Sequence, residues 1–365
     1  MTAPTSWNLY ASNEEAWEKM LADCAKAQRS IDLEQFIFVA DEYGQRLIDI
    51  CVERAAAGVK VRFLWDAAFS FTFFGAATVE DLRKKGIQLL FWKTLIPEYY
   101  RVPNWRSWFF RNHRRTLVID GIIGYTGSIC VLDRMKNWRD TNVRLEGPVV
   151  KEMHNAFDRM WHRADRSNPH APKHMPKRIK ARDREFRYVT NYPAPHRRHI
   201  YSELVDAVRN ARKYIYITTP YFVPTPRLMR VLRLAARRGV DVRIMVPEAS
   251  NHPAADLGAR SYFEDLLSSG ARIFLYKGEH LIHAKTAIID GDWATVGSMN
   301  LDRISLLYNF EANIITTNGR FAEELIAHFV HDTQSTHEIM LEEWRNRFFT
   351  ERIPERMIKL IRKFL

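Results

Sequence analysis

The chain has 365 residues, 46% of them hydrophobic and 12% aromatic, which is ample for one large or two medium cores and excludes wholesale disorder. A formal charge of +12 at pH 7 points to an anionic partner (phospholipid head groups, a membrane surface or nucleic acid) without choosing among them. Three scattered cysteines, Cys24, Cys51 and Cys130, exclude a disulfide framework or a Cys-based metal site and fit a reducing compartment.

At the N-terminus no basic stretch runs into an apolar one, so no signal peptide is expected. No uncharged apolar run reaches the length of a membrane span, and membrane contact is expected to be peripheral. Asn13 is placed to cap a first helix whose buried stripe is Trp17, Met20, Leu21 and Cys24. The pattern then gives a strand over 31–39, a helix over 43–57 and a strand over 59–65. Residues 93–111 are rich in aromatics and arginine. Such a segment suits a bilayer interface, stacking on nucleic-acid bases, or a loop burying its own rings on the core. Between 163 and 187 stand nine Lys/Arg against three Asp/Glu, with prolines at 169, 172 and 176, the composition of an exposed linker. Helices over 201–211 and 226–238 and strands over 214–217 and 240–246 repeat the first half. At the C-terminus, Ile353, Met357, Ile358, Leu360, Ile361, Phe364 and Leu365 recur at helical spacing among basic residues. That pattern serves an interfacial anchor or a helix docked on the fold.

The most informative feature is a motif present twice. His113-Arg-Arg115-Thr-Leu-Val-Ile-Asp120-Gly, with Gly127-Ser128 after it, matches His283-Ala-Lys285-Thr-Ala-Ile-Ile-Asp290-Gly, with Gly297-Ser298 after it. Over 113–130 against 283–300, seven of eighteen residues are identical. The likeness extends outward: Gly58-Val-Lys-Val-Arg62 resembles Gly239-Val-Asp-Val-Arg243, which marks an internal duplication. Alternating helices and strands in each half argue for an α/β sandwich. The expected organisation is a first lobe over 1–160, a basic linker over 161–190, a second lobe over 191–340 and an amphipathic helix over 341–365.

Cleaving a phosphodiester needs a nucleophile, a proton for the leaving oxygen and positive charge on the non-bridging oxygens. Neutral imidazole can attack, and a second imidazole can act as acid and then base. Residues two apart share a strand face, so Arg115 and Lys285 are expected to flank the phosphate beside His113 and His283. Ser128, Ser298 and Asn300 are candidate donors to phosphate oxygens. Asp120 and Asp290 belong to the motif as candidate catalytic carboxylates, with a turn role as their more direct duty. Asp140 and Glu311 lie 27 and 28 residues after the histidines of their own halves and are expected to orient the imidazoles. No metal-ligand spacing, Gly-rich phosphate loop or nucleophile elbow is present, so neither metal nor nucleotide cofactor is implied.

These paired motifs resemble the phospholipase D superfamily over nearly the whole chain. Leu33-Glu-Gln-Phe-Ile-Phe38, Trp138-Arg-Asp-Thr-Asn-Val-Arg-Leu-Glu-Gly-Pro148, Thr219-Pro-Tyr-Phe-Val-Pro224 and Val296-Gly-Ser-Met-Asn-Leu-Asp-Arg303 resemble the bacterial cardiolipin synthase group in particular. The resemblance implies two duplicated α/β lobes related by a pseudo-twofold axis with the active site between them, a phosphohistidine intermediate, and no metal. It further implies transfer of a phosphatidyl group between lipid alcohols, with phosphatidylglycerol as substrate, at the inner, cytoplasmic face of a bacterial membrane. Two positions depart from the family pattern, which has Lys where this chain has Arg115 and usually Asn where it has Cys130. Three other readings stand beside the transferase: a phospholipase D-type hydrolase, a nuclease, and a lipid-binding module weakened by these departures. Which histidine attacks is open at this stage.

Overall fold

Seven strands of the first half form one mixed sheet in the computed structural model: β1 (Ser6–Ser12), β2 (Ser30–Gln35), β3 (Lys60–Asp66), β4 (Gln88–Trp92), β5 (Thr116–Ile119), β6 (Ile123–Gly127) and β7 (Arg139–Glu146). Their order is β1-β7-β6-β5-β2-β3-β4. The second half builds β8 (Phe186–Asn191), β9 (Tyr214–Thr218), β10 (Phe222–Val223), β11 (Asp241–Pro247), β12 (Arg272–Tyr276), β13 (Thr286–Ile289), β14 (Trp293–Gly297), β15 (Leu301–Asp302), β16 (Glu311–Thr316) and β17 (Thr336–Ile339). Eight of these form the second sheet, in the order β17-β12-β11-β9-β13-β14-β16-β8. Read from β8, that sheet repeats the first strand for strand, with β17 added at the far edge. The structure describes residues 4–70, 77–92, 110–165, 185–348, 350, 353–355 and 357–358. Outside them lie 93–109 of the aromatic insert, 166–184 of the linker and most of the basic C-terminal segment.

In each lobe three strands run parallel, β2/β3/β4 and β9/β11/β12. Their crossovers are helices: α1 (Asn13–Ala25) leads into β2, α2 (Glu42–Ala56) joins β2 to β3, and α3 (Ala77–Lys84) precedes β4. After β7 comes α4 (Pro148–Ala164); the second lobe has α5 (His199–Asn210), α6 (Pro226–Arg237), α7 (Pro253–Leu267), α8 (Arg303–Leu307), α9 (Gly319–Thr333) and α10 (Leu341–Arg345). The α2 and α6 helices stop where Gly58 and Gly239 take φ of 89° and 88°, a conformation that favours glycine. The cap of α1 differs from expectation by one residue. Ser12 accepts from the Glu15 N–H, while Asn13 is the first helical residue, buried, and donates to the Met135 carbonyl.

Each lobe has its own apolar core between sheet and outer helices. A third core lies between the sheets, where Val118, Val143 and Leu145 of the first meet Ile288, Val296 and Ile314 of the second. Two short backbone bridges lock the lobes together. The His113 N–H donates to the Phe310 carbonyl at 3.0 Å, and the His283 N–H to the Arg139 carbonyl at 2.7 Å. Both motif histidines thus begin at the seam.

Candidate active site

His113 and Arg115 stand on the approach to β5, and His283 and Lys285 on the approach to β13. All four are buried, at the end of each sheet where the lobes touch. The Lys285 Nζ donates to the His283 carbonyl at 2.8 Å and lies 3.0 Å from His283 Nε2. Arg115 makes the equivalent contacts with two nitrogens, Nη1 to the His113 carbonyl at 2.9 Å and Nη2 at 3.0 Å from His113 Nε2. Each cation therefore sits against the ring nitrogen that faces the cavity.

The other ring nitrogen crosses the seam. His113 Nδ1 lies 2.9 Å from Glu311 Oε1, and His283 Nδ1 lies 3.1 Å from Asp140 Oδ2. Sequence reasoning found both carboxylates but assigned each to the histidine of its own half; the fold exchanges them. The cause is the pseudo-twofold arrangement, in which the start of β16 faces the approach to β5 and the start of β7 faces the approach to β13.

The expected phosphate donors Ser128 and Ser298 have other partners here. Both are buried, and their hydroxyls donate to Asp140 and Glu311, the latter at 2.5 Å. They brace the carboxylates that brace the histidines. Gly127 and Gly297 permit this, since a Cβ at either would collide with Asn142 or with the Ala312 carbonyl and Asn313. Asp120 and Asp290 lie at the opposite strand ends from the histidines. Each has φ of 55°. Asp120 accepts from the N–H groups of Gln28, Arg29 and Ser30, and Asp290 from those of Arg212, Lys213 and Tyr214. Neither motif aspartate reaches the imidazoles. Asn300 is buried and borders the cavity, as Cys130 does in the first lobe.

Sequence reasoning missed several neighbours. Phe36 packs edge-on against His113 with centroids 4.5 Å apart, and Trp138 lies 5.1 Å from His283. Asn142 and Asn313 hold the loops after Gly127 and Gly297 by accepting from the N–H groups of Ile129 and Met299. Ser305 gives Glu311 a further hydrogen bond of 2.7 Å. The duplication carried the signal for the asparagines, because Asp140-Thr-Asn142 and Glu311-Ala-Asn313 share one spacing.

Burial dominates the electrostatics. It draws both imidazoles down, with the neighbouring cations adding to it: His113 falls well below the usual histidine range and His283 to about 4. Lys285 drops to about 7, chiefly by burial, with Arg115 adding to the fall and Asp140 opposing it. The carboxylates diverge. Burial pushes Glu311 up to about 8 against the hydrogen bonds of Ser298 and Ser305. For Asp140 burial acts in the same sense, but His283, Lys285 and Ser128 together bring it down to about 2.

His113, Arg115 and His283 line the floor of a cavity of about 740 Å³ whose walls are largely apolar, including Phe36, Phe69, Leu132, Trp138, Tyr221 and Val223. That floor offers a phosphate two imidazoles and the Arg115 guanidinium, with the Lys285 ammonium 3.0 Å from His283 Nε2, and apolar walls for what the phosphate carries. Among the described residues, no group of three or more His, Cys, Asp or Glu is arranged to hold a metal ion, and no helix is long and apolar enough to cross a membrane.

The family model described as cardiolipin synthase, PLD-like domain matches residues 20–161 and 204–333. The chain is 31% identical to the major cardiolipin synthase ClsA of Bacillus subtilis, over all of this chain and 76% of that protein. It is also 31% identical to a cardiolipin synthase of Clostridium perfringens, over 97% of this chain and 76% of that one. Among solved structures, the phosphatidylserine synthase of Haemophilus influenzae superposes with a TM-score of 0.71 at 15% identity, covering 98% of this chain and 92% of that chain. At that identity the likeness speaks to the fold.

Proposed function

We infer from its site that this chain, which belongs to the family of cardiolipin synthase, PLD-like domains, is a phosphatidyltransferase exchanging the alcohol on a phospholipid through a phosphohistidine. The observation that carries this reading is the pair of crossed His–carboxylate dyads, each with its own cation, whose two imidazoles meet at the floor of one apolar-walled cavity. Phosphatidylglycerol is the substrate we propose, on the anionic surface of a membrane whose lipids the net positive charge attracts.

The two half-sites divide the work by the state of their carboxylates. Burial and the neighbouring cations hold His113 a neutral imidazole, and Glu311, raised to about 8, sets no anion against it at neutral pH, so Nε2 of His113 attacks phosphorus. Asp140, held near 2, is an anion and supports an imidazolium at His283 once the substrate phosphate adds its own negative charge. In the first step the bond from phosphorus to the departing glycerol oxygen breaks, and His283 gives that oxygen a proton. In the second, His283 takes a proton from the hydroxyl of an incoming lipid alcohol. That oxygen attacks phosphorus and the P–N bond to His113 breaks, restoring the enzyme. Arg115 and Lys285 stabilise the charge on the non-bridging oxygens in both steps. The domain limits that follow are a first lobe to about 164, where α4 ends, a linker, and a second lobe from about 186, since β8 belongs to the second sheet and the expected limits of 160 and 191 cut both elements.

Purified protein incubated with phosphatidylglycerol vesicles is expected to release glycerol and form cardiolipin, and to lose both products with His113→Ala or His283→Ala. Phosphatidic acid in place of cardiolipin identifies a hydrolase and overturns the transferase reading.

A further inference from the structure

The half-sites share one plan but not one filling, and the difference involves two positions. Where the second copy has Lys285 and Asn300, the first has Arg115 and Cys130. Arg115 makes the same two contacts to its own histidine as Lys285 does. A guanidinium is bulkier than an ammonium, however, and brings a third nitrogen that needs a partner. That nitrogen, Nε, donates to Cys130 Sγ at 3.1 Å. Both side chains are buried, Arg115 at 3% and Cys130 at 1% exposure, and the guanidinium lies 5.5 Å from the centre of the Phe36 ring. An asparagine at 130 adds heavy atoms beside that guanidinium, in packing that does not yield cheaply.

We propose that Cys130 is the positioning residue for Arg115, the two forming one unit that replaces the Lys–Asn pair of the second half. The small side chain makes room for the fork, and its sulfur takes the Nε–H. Of the five N–H donors of an arginine, Nε–H goes to Cys130, Nη1 to the His113 carbonyl with a longer contact of 3.3 Å to His113 Nδ1, and one Nη2–H to His113 Nε2. Among the described residues the second Nη2–H is left for a phosphate oxygen, and the fork, held from behind, meets it in a fixed orientation. The first half-site thus presents an oriented fork where the second presents the single ammonium of Lys285. This inference rests on the reading that a phosphate is handled at this centre.

The test compares Arg115→Lys, Cys130→Asn and the double variant, each checked for folding by thermal unfolding. Binding of inorganic phosphate is measured by calorimetry, and turnover on phosphatidylglycerol vesicles by product analysis. Each single substitution is expected to lower affinity and turnover by about tenfold or more, and the double to return within about threefold of the parent. Cys130→Ser, which keeps the volume and an acceptor, is expected to restore most of what Cys130→Asn removes. Single effects that multiply in the double variant, or singles equal to the parent, overturn the pairing. A parent that shows the coupling in phosphate binding but converts no phosphatidylglycerol upholds the pairing and sinks the transferase reading; conversion with multiplying effects does the reverse. Should both chains carrying Cys130→Asn unfold, the second copy asks the same question. Lys285→Arg should then be tolerated with Asn300→Cys and not without it, and equal tolerance in both backgrounds overturns the proposal.

Discussion

His113 and Glu311 are 198 residues apart in the chain, yet His113 Nδ1 and Glu311 Oε1 lie 2.9 Å apart across the seam between the lobes. Asp140 and His283 repeat the relationship in the other direction at 3.1 Å. Neither lobe holds a complete dyad. A carboxylate on Nδ1 fixes which nitrogen faces the substrate and how the ring is turned. Glu311→Gln and Asp140→Asn are each expected to lower kcat by about 10- to 100-fold or more while leaving the fold intact. Groups that act as a unit are non-additive, so adding Glu311→Gln to His113→Ala should cost little beyond His113→Ala alone. Rates that fall by the full product of the two single effects argue against the dyad.

The motif aspartates are expected to behave in the opposite way. Asp290 ends β13 with φ of 55° and accepts three backbone N–H groups at 2.8 to 3.0 Å. Alanine supplies no acceptor and tolerates that backbone conformation poorly, so Asp290→Ala should cost about 2–3 kcal/mol of stability. Asp290→Asn keeps an acceptor and suits the conformation, and should cost less. Thermal unfolding reads both. In each case kcat of the folded fraction stays close to the parent, and a loss of kcat with unchanged stability would return the aspartates to the chemistry.

The fold and the grouping of the motif side chains were largely legible in the sequence, because duplication prints the same spacing twice. His113 with Arg115 and His283 with Lys285 came from the motif, and the strands β3 and β11 from the alternating pattern that follows the helix stops at Gly58 and Gly239. What stayed hidden depends on which element meets which in space. The crossed pairing of Glu311 and Asp140 follows from a symmetry axis that no spacing encodes. The hydroxyls of Ser128 and Ser298 look like phosphate donors by position, but β7 and β16 pass close enough to claim them. The edge strands β1 and β8 escaped because each half was read as beginning with a helix.

Lys285 gives the centre an alkaline limit. Burial lowers it from the ordinary lysine value to about 7, so raising the pH through 7 removes its proton and its attraction for phosphate. The histidines are already neutral there, and His283 gains a proton in the free enzyme only near pH 4. The pH profile of kcat/KM, which reports the free enzyme, should therefore fall in two stages, first above about pH 4 as His283 loses the proton the first step needs, then more steeply with a midpoint near 7 as Lys285 loses its own. In kcat the limb should move upward, because a bound phosphate stabilises the ammonium. Arginine does not titrate in this range, so Lys285→Arg made together with Asn300→Cys should flatten the limb. An unchanged limb in that variant assigns it to another group, Glu311 being the first to examine.

The mouth of the cavity gives the membrane reading its own test. Phe69 and Ile304 both line the cavity, yet are 42% and 50% exposed; beside them stands Arg134. Apolar side chains around an opening, with a cation among them, suit insertion between anionic head groups. Burying one such side chain contributes about 1.5–3 kcal/mol, so Phe69→Glu and Ile304→Glu should each weaken binding to phosphatidylglycerol vesicles about tenfold or more. Because neither side chain belongs to a histidine dyad or its cation, turnover of a short-chain substrate dispersed in detergent should fall far less than turnover on vesicles. Equal losses on both substrates would assign these residues to the reaction cavity alone, and the docking face would then have to be sought elsewhere on the protein.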